Sequence, residues 1–160
     1  MEYENKILNL FKNDYLTTKD VTDNNIPRTY LTKLIKENKI ERVSRGVYIK
    51  KNALVDEFVV LQSKSKYAIY SNTTALYLHG FSNRIPIRYD ITIKSGYKGS
   101  LQKEDNVNLF YTKNELLDLG VINYKLDSGN IIRVYDLDKT ICDIIKNKKK
   151  IDAEIFNKAI

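Results

Sequence analysis

Apolar residues along this chain recur with two periods, one near 3.6 and one of 2, and the changes between them mark out the expected elements. Tyr3, Ile7, Leu10 and Phe11 are spaced for one face of a helix over residues 2–13. Thr17-Thr18-Lys19-Asp20 has the form of a capping box in its acidic variant and predicts a short second helix. Asp23-Asn24-Asn25 reads as a turn. Beyond it, Tyr30, Leu31, Leu34 and Ile35 share one arc of a helical wheel, while Arg28, Thr29, Thr32, Lys33 and Lys36 fill the opposite arc. Pro27 suits the first turn of that helix, where its missing N–H is not needed. The helix is expected to fade near Asn38 and Lys39. Residues 40–43 and 47–50 are β-rich, with Ser44-Arg45-Gly46 turning between them. Helix, short helix, turn, helix and hairpin is the order of a winged helix-turn-helix.

The pattern after Asn52 is less regular. Leu54, Val55, Phe58, Val59 and Gln62 predict a helix packed on the join. A short strand is expected at 66–70, and Ser71 is placed to cap a helix running to Leu78, which Gly80 ends. Strands follow at 89–94 and 107–111, with a Gly- and charge-rich loop over 95–106. Thr112-Lys113-Asn114-Glu115 reads as a second capping box, opening a helix that Gly120 closes. Residues 121–126 and 130–135 form a hairpin across Asp127-Ser128-Gly129, and Asp136 caps a helix to about Lys146. A last helical stretch opens at Asp152. Its apolar positions, Ile155, Phe156, Ala159 and Ile160, have little chain after them, as if a C-terminal portion were missing. The fold expected is α+β: a winged helix-turn-helix over residues 1–52, then a mixed α/β domain over 53–160. Strands and helices alternate there too irregularly for a doubly wound sheet.

Charge gives the first module a direction. Eight Lys/Arg lie between Arg28 and Lys51 against Glu37 and Glu41, a window of +6 in a chain of net charge +7. A field of that sign on a helix face and hairpin attracts phosphate. DNA contacts are therefore expected from Arg28, Thr29, Thr32, Lys33 and Lys36 on the helix, and from Arg42, Arg45 and Lys50 on the hairpin. An ordinary solvated helix face is the bland alternative.

Other functional classes find little support. Apolar content of 42% suits packed cores. No apolar run reaches the roughly 18 residues of a membrane span, and the N-terminus does not resemble a signal peptide. One cysteine, Cys142, cannot form an internal disulfide; it is expected on the buried side of its helix with Ile141 and Ile145. These features predict a soluble cytoplasmic protein. His79 is the only histidine, so no zinc site is expected, and its place beside Gly80 suggests bonding to the last carbonyls of its helix. Gly96-Tyr97-Lys98-Gly99 lacks the length and flanks of a P-loop. No nucleophile stands with a base. We therefore expect no catalytic residue, no metal and no cofactor.

Three blocks together resemble a known family. PRTYLTKLIKENKIERVSRGVYIK is similar to the N-terminal winged helix of AbiEi-type antitoxins, from type IV toxin–antitoxin systems of abortive infection and phage defence. SNTTALYLHGFSNRIP resembles that family's Thr-Ala-x-x-x-His-Gly segment, and YDLDKTICDII its later Asp-x-x-(Lys/Arg)-Thr-x-x-Asp segment. The resemblance implies a transcriptional repressor that binds inverted repeats of double-stranded DNA in its own promoter. It implies too that the C-terminal domain counteracts a nucleotidyltransferase-type toxin without a stable complex. Ser71, Thr73, Thr74, His79, Asp136, Lys139, Thr140 and Asp143 are the residues it points to for the antitoxin role. Capping and ion pairing give several of them a structural alternative. Competing readings are a plain winged-helix regulator with a ligand-sensing or assembly domain, and a kinase-like enzyme that modifies the toxin.

Overall fold

The computed structural model describes residues 2–65 and 67–147. The chain divides into two compact units, Met1–Lys64 with Asp127–Asn130, and Ser65–Leu126 with Ile131–Ile160. The expected helix from Asp152 lies outside the described residues.

The first unit runs α1 (Glu2–Leu10), β1 (Tyr15–Thr17), α2 (Thr18–Asp23), α3 (Thr29–Lys36), β2 (Ile40–Ser44), β3 (Val47–Lys50) and α4 (Glu57–Ser63). Its sheet is antiparallel with order β1-β3-β2, the winged-helix arrangement. Strand β1 had no sequence signal of its own: three residues are too few to show a period. The Thr17–Asp20 capping box forms as expected, with Asp20 N–H on Thr17 Oγ1 at 3.2 Å and Thr17 N–H on Asp20 Oδ2 at 2.9 Å. Helices α2 and α3 both end on a left-handed asparagine. After α3, Asn38 has φ +58°, Lys39 N–H reaches Leu34 O and Asn38 N–H reaches Ile35 O. Asn25 repeats this after α2, with Ile26 N–H on Val21 O and Asn25 N–H on Thr22 O. These paired bonds are a Schellman closure, which satisfies the orphan carbonyls and turns the chain sharply.

Alternation along the strands gives the sheet two apolar faces. Leu16 packs with Ile7, Val21, Ile26, Leu31, Leu34 and Ile40. Tyr15, Val47 and Ile49 pack instead with Val60 of α4, supported by Val43, Ala53 and Val59. A module ending at Asn52 would leave that second face open to water. This is why the compact unit continues to Lys64. Asp56 caps α4 through Phe58 N–H at 3.1 Å, and Leu54 and Val55 precede the helix on the surface instead of lying on its packed face. On α1 the pattern also misled: Tyr3 is exposed and Glu4 is buried.

In the second unit, β4 (Ile69–Tyr70), β5 (Tyr89–Lys94), β6 (Val107–Thr112), β7 (Val121–Lys125) and β8 (Ile131–Tyr135) make a mixed sheet of order β6-β5-β4-β8-β7. The β5/β6 and β4/β8 pairs are parallel, the others antiparallel. Helices α5 (Asn72–Leu78), α6 (Asn114–Leu117) and α7 (Leu137–Lys146) connect and cover it, and a single 3-10 turn spans Ser100–Lys103. The fold is α+β, as expected. Ile69, Leu117 and Tyr135 form one buried cluster. Three local expectations fail. Thr112 is the last residue of β6 and makes no cap; Lys113 precedes α6 without a side-chain bond. Cys142 is exposed, because α7 turns Thr140 and Ile144 inward. The strand expected at 66–70 is two residues long among the described residues. No described helix is long and apolar enough to cross a membrane.

Candidate functional site

The predicted DNA-facing residues all lie on the surface of the first unit. Leu31 and Leu34 anchor α3 to the core, so the opposite arc, Arg28, Thr29, Thr32, Lys33 and Lys36, is exposed. On the wing, Arg42, Arg45 and Lys50 are exposed as well. Gly46 makes the turn at φ +75°, and the register slips between Arg42 and Ser44, a bulge that bends the ribbon.

Ion pairing sorts the eight basic residues of this window into two groups. Lys33 reaches Glu4 of α1 at 2.8 Å, Lys39 reaches Glu37 at 3.1 Å and Glu4 at 3.4 Å, and Lys51 reaches Glu41 at 2.8 Å. Arg28, Lys36, Arg42, Arg45 and Lys50 form no ion pair among the described residues. Lys50 lies 5.8 Å from the centre of the Phe11 ring, and Arg42 Nε donates to Ser44 O at 3.4 Å. The Lys33 ammonium holds the Glu4 carboxyl below the usual carboxylate range, and Glu4 raises Lys33 in return. Five unpaired cations, on the outer arc of α3 and along the wing, leave a surface suited to a polyanion.

The second unit brings the residues of the two later sequence blocks together. His79 does not serve its own helix. Its Nε2–H donates to Tyr135 O, the carbonyl that ends β8, at 2.8 Å. Thr140, buried on α7, donates its hydroxyl to the same oxygen at 3.4 Å. The carbonyls at the end of α5 have other partners: Phe81 N–H meets Leu76 O, Gly80 N–H meets Tyr77 O, and the Tyr124 hydroxyl meets Leu78 O at 2.8 Å. Asp136 caps α7 through Lys139 N–H at 2.8 Å, and Lys139 pairs with Asp143 at 2.6 Å. A Cβ built on Gly120 would come within 2.8 Å of Lys139 Cβ, so this packing needs glycine there as well as its φ of +83°.

Ser71 occupies the N-cap position of α5, but its side chain makes no cap bond. It accepts from the Thr92 hydroxyl at 2.7 Å. The centre of this polar cluster is Asp90, which the sequence reading passed over. Its carboxylate accepts from the Thr73 hydroxyl and N–H and from Asn108 Nδ2, and its backbone N–H donates to Thr74 Oγ1 at 2.7 Å. Burial raises the Asp90 carboxyl above its usual range, against the opposing effect of these donors. Asn72, wholly buried at φ +47°, completes the bend into α5. The available signal was an acid at an interior position of an apolar strand. No group of three His, Cys, Asp or Glu side chains placed to hold a metal ion occurs among the described residues.

Residues 5–49 match the family model described as "Transcriptional regulator, AbiEi antitoxin". The resemblance seen in the sequence is thus borne out over the winged helix; the two later blocks lie outside the matched residues. No curated protein matches the chain. Among solved structures, the RV2827C protein from Mycobacterium tuberculosis superposes with a TM-score of 0.61 at 12% identity, over 96% of this chain. At that identity the likeness is one of fold. This chain spans 63% of the length of that protein.

Proposed function

We propose that this chain is an antitoxin of the type IV class that binds double-stranded DNA at inverted repeats in its own promoter and represses it. The observation that carries the reading is the sorting of charge on the winged helix. The cations without a carboxylate partner fall on the outer arc of α3 and on the wing, the two parts of this fold that meet a duplex. The match of the same segment to a family of regulators and antitoxins supports it. In this reading α3 enters the major groove, where Arg28, Thr29 and Thr32 meet base edges. Lys36, Arg42, Arg45 and Lys50 neutralise phosphates. No catalysis is assigned to either unit. The second unit counteracts a nucleotidyltransferase-type toxin, with no stable complex required, through the surface that the Ser71–Gly80 and Asp136–Asp143 segments support. Because the family match ends at residue 49, a plain winged-helix regulator is the competing reading for the second unit.

The test uses the full chain and the nucleotidyltransferase-type toxin gene that this reading places beside its own. Changing Arg28, Lys36 and Arg45 together to Ala abolishes promoter binding in a gel-shift titration and leaves growth rescue intact when both genes are driven by foreign promoters. Promoter binding that survives the triple change overturns the assigned DNA face. A folded triple variant that fails to rescue overturns the division of labour between the units.

A further inference from the structure

Glu4 stands apart from the other acids of the first unit. It lies on α1, is 7% exposed, and was the misfit in an otherwise apolar helical face. Its two carboxylate oxygens are each taken by a lysine, Lys33 at 2.8 Å and Lys39 at 3.4 Å. Lys33 belongs to the same exposed arc as Thr29, Thr32 and Lys36. Without Glu4 it would be a sixth available cation on the face of α3 and the wing.

We propose that Glu4 is a specificity-determining residue: it withholds Lys33 from DNA phosphate and so limits binding to sequences the helix does not read. The inference rests on the DNA-binding reading above. A carboxylate turned into the protein needs its cationic partner, since leaving it unpaired carries a desolvation cost. Lys33 therefore cannot move to a phosphate without leaving Glu4 only the longer Lys39 contact, at 3.4 Å. Lys39 keeps a second partner in Glu37, so its release matters less. Binding to random duplex is almost wholly electrostatic, whereas binding to an operator adds contacts to base edges. On an operator the base-edge contacts fix the docking, and with it the phosphates Lys33 could reach, whereas a loosely docked protein on random duplex can use a mobile lysine in many registers. Withholding Lys33 therefore weakens random binding by the larger factor. The clamp also fixes Lys33 across α1 and α3, holding the recognition helix at one angle to the helix behind it.

Fluorescence anisotropy of the full chain tests this, with a duplex of its own promoter and a random duplex, each titrated over a range of salt. Since one extra phosphate contact adds about 0.9 to the salt slope, Glu4→Gln should bind random duplex about fivefold tighter near 0.15 M salt. Its slope should steepen by about 1, and the promoter-to-random ratio should fall. Glu4→Asp should restore the original slope. Lys33→Gln should leave the slope unchanged, and the double variant should return to the wild-type value. A melting curve accompanies each variant, and the Lys33→Gln result decides the matter if Glu4→Gln does not fold. An unchanged slope and ratio in folded Glu4→Gln overturns the inference, as does a slope lowered by about 1 in Lys33→Gln. Either result leaves the DNA-binding reading standing, provided the wild type binds its promoter. A wild type that binds neither duplex overturns both.

Discussion

His79 donates through Nε2 to the backbone oxygen of Tyr135, 2.8 Å away across 56 positions of sequence. That bond ties the end of α5 to the junction between β8 and α7. Thr140 adds a second, longer donor to the same oxygen. His79→Phe keeps the ring and removes the donor, so it should cost about 1 kcal/mol, the net worth of one hydrogen bond. For a chain of this size that lowers Tm by roughly 2–4 °C. Thr140→Val should cost less, because its bond is longer. Thermal melts of both variants check the order; a larger loss in Thr140→Val would make the threonine the principal donor.

The two groups of basic residues should behave differently in salt. Arg42→Ala, Arg45→Ala and Lys50→Ala should each lower the salt slope of duplex binding by about 1 and weaken all sequences alike. Lys51→Ala removes a lysine already matched by Glu41, so its slope should stay near wild type. Equal slopes for Lys51→Ala and Arg45→Ala would show that pairing in the free protein does not predict contact with DNA.

Arg28 opens the outer arc of α3 and has no acidic partner among the described residues. If it meets a guanine edge, Arg28→Ala should cost about 1–3 kcal/mol on the promoter duplex and much less on random DNA. Competition titrations with the two duplexes measure this directly. The same loss on both would move Arg28 to the phosphate backbone.

Glu4 and Asp90 should affect stability with opposite dependence on pH. The Glu4 carboxyl is held below its ordinary 4.5, chiefly by the Lys33 bond. Its contribution is therefore present above 4.5 and is lost as pH falls through the depressed folded value. Asp90 is raised above its ordinary 3.8, chiefly by burial. The folded state then holds that proton more tightly than the unfolded chain. Its contribution is complete below 3.8 and is lost as pH rises through the folded value. Melting temperatures across this range check both signs. The deficit of Glu4→Gln should shrink on acidification, and that of Asp90→Asn should grow.

Much of the first unit was legible because its signals are local. A capping box, a proline at a helix start, an asparagine after a helix end and a two-residue alternation all act within a few positions, where backbone sterics and nearest hydrogen bonds dominate. The amphipathic arc of residues 28–36 was legible for the same reason: Leu31 and Leu34 recur at the helical period whatever they pack against. Strand β1 escaped because three residues carry no period, and its place is decided by pairing Tyr15 with Ile49.

By itself the sequence determined the α+β class, the order of the winged-helix elements apart from β1, and the arc that faces outward. Tertiary structure alone decided which charges on that arc are available, because the Glu4–Lys33 pair joins residues that no helical period relates. It decided that Ser71 bonds Thr92 instead of capping α5, that Asp90 collects the Thr73 and Asn108 donors, and that His79 and Thr140 meet at Tyr135 O. It also turned Cys142 outward and drew α4 onto the open face of the wing sheet. A buried polar group must find a partner wherever the fold brings one. The identity of that partner depends on chain packing, which local pattern does not encode.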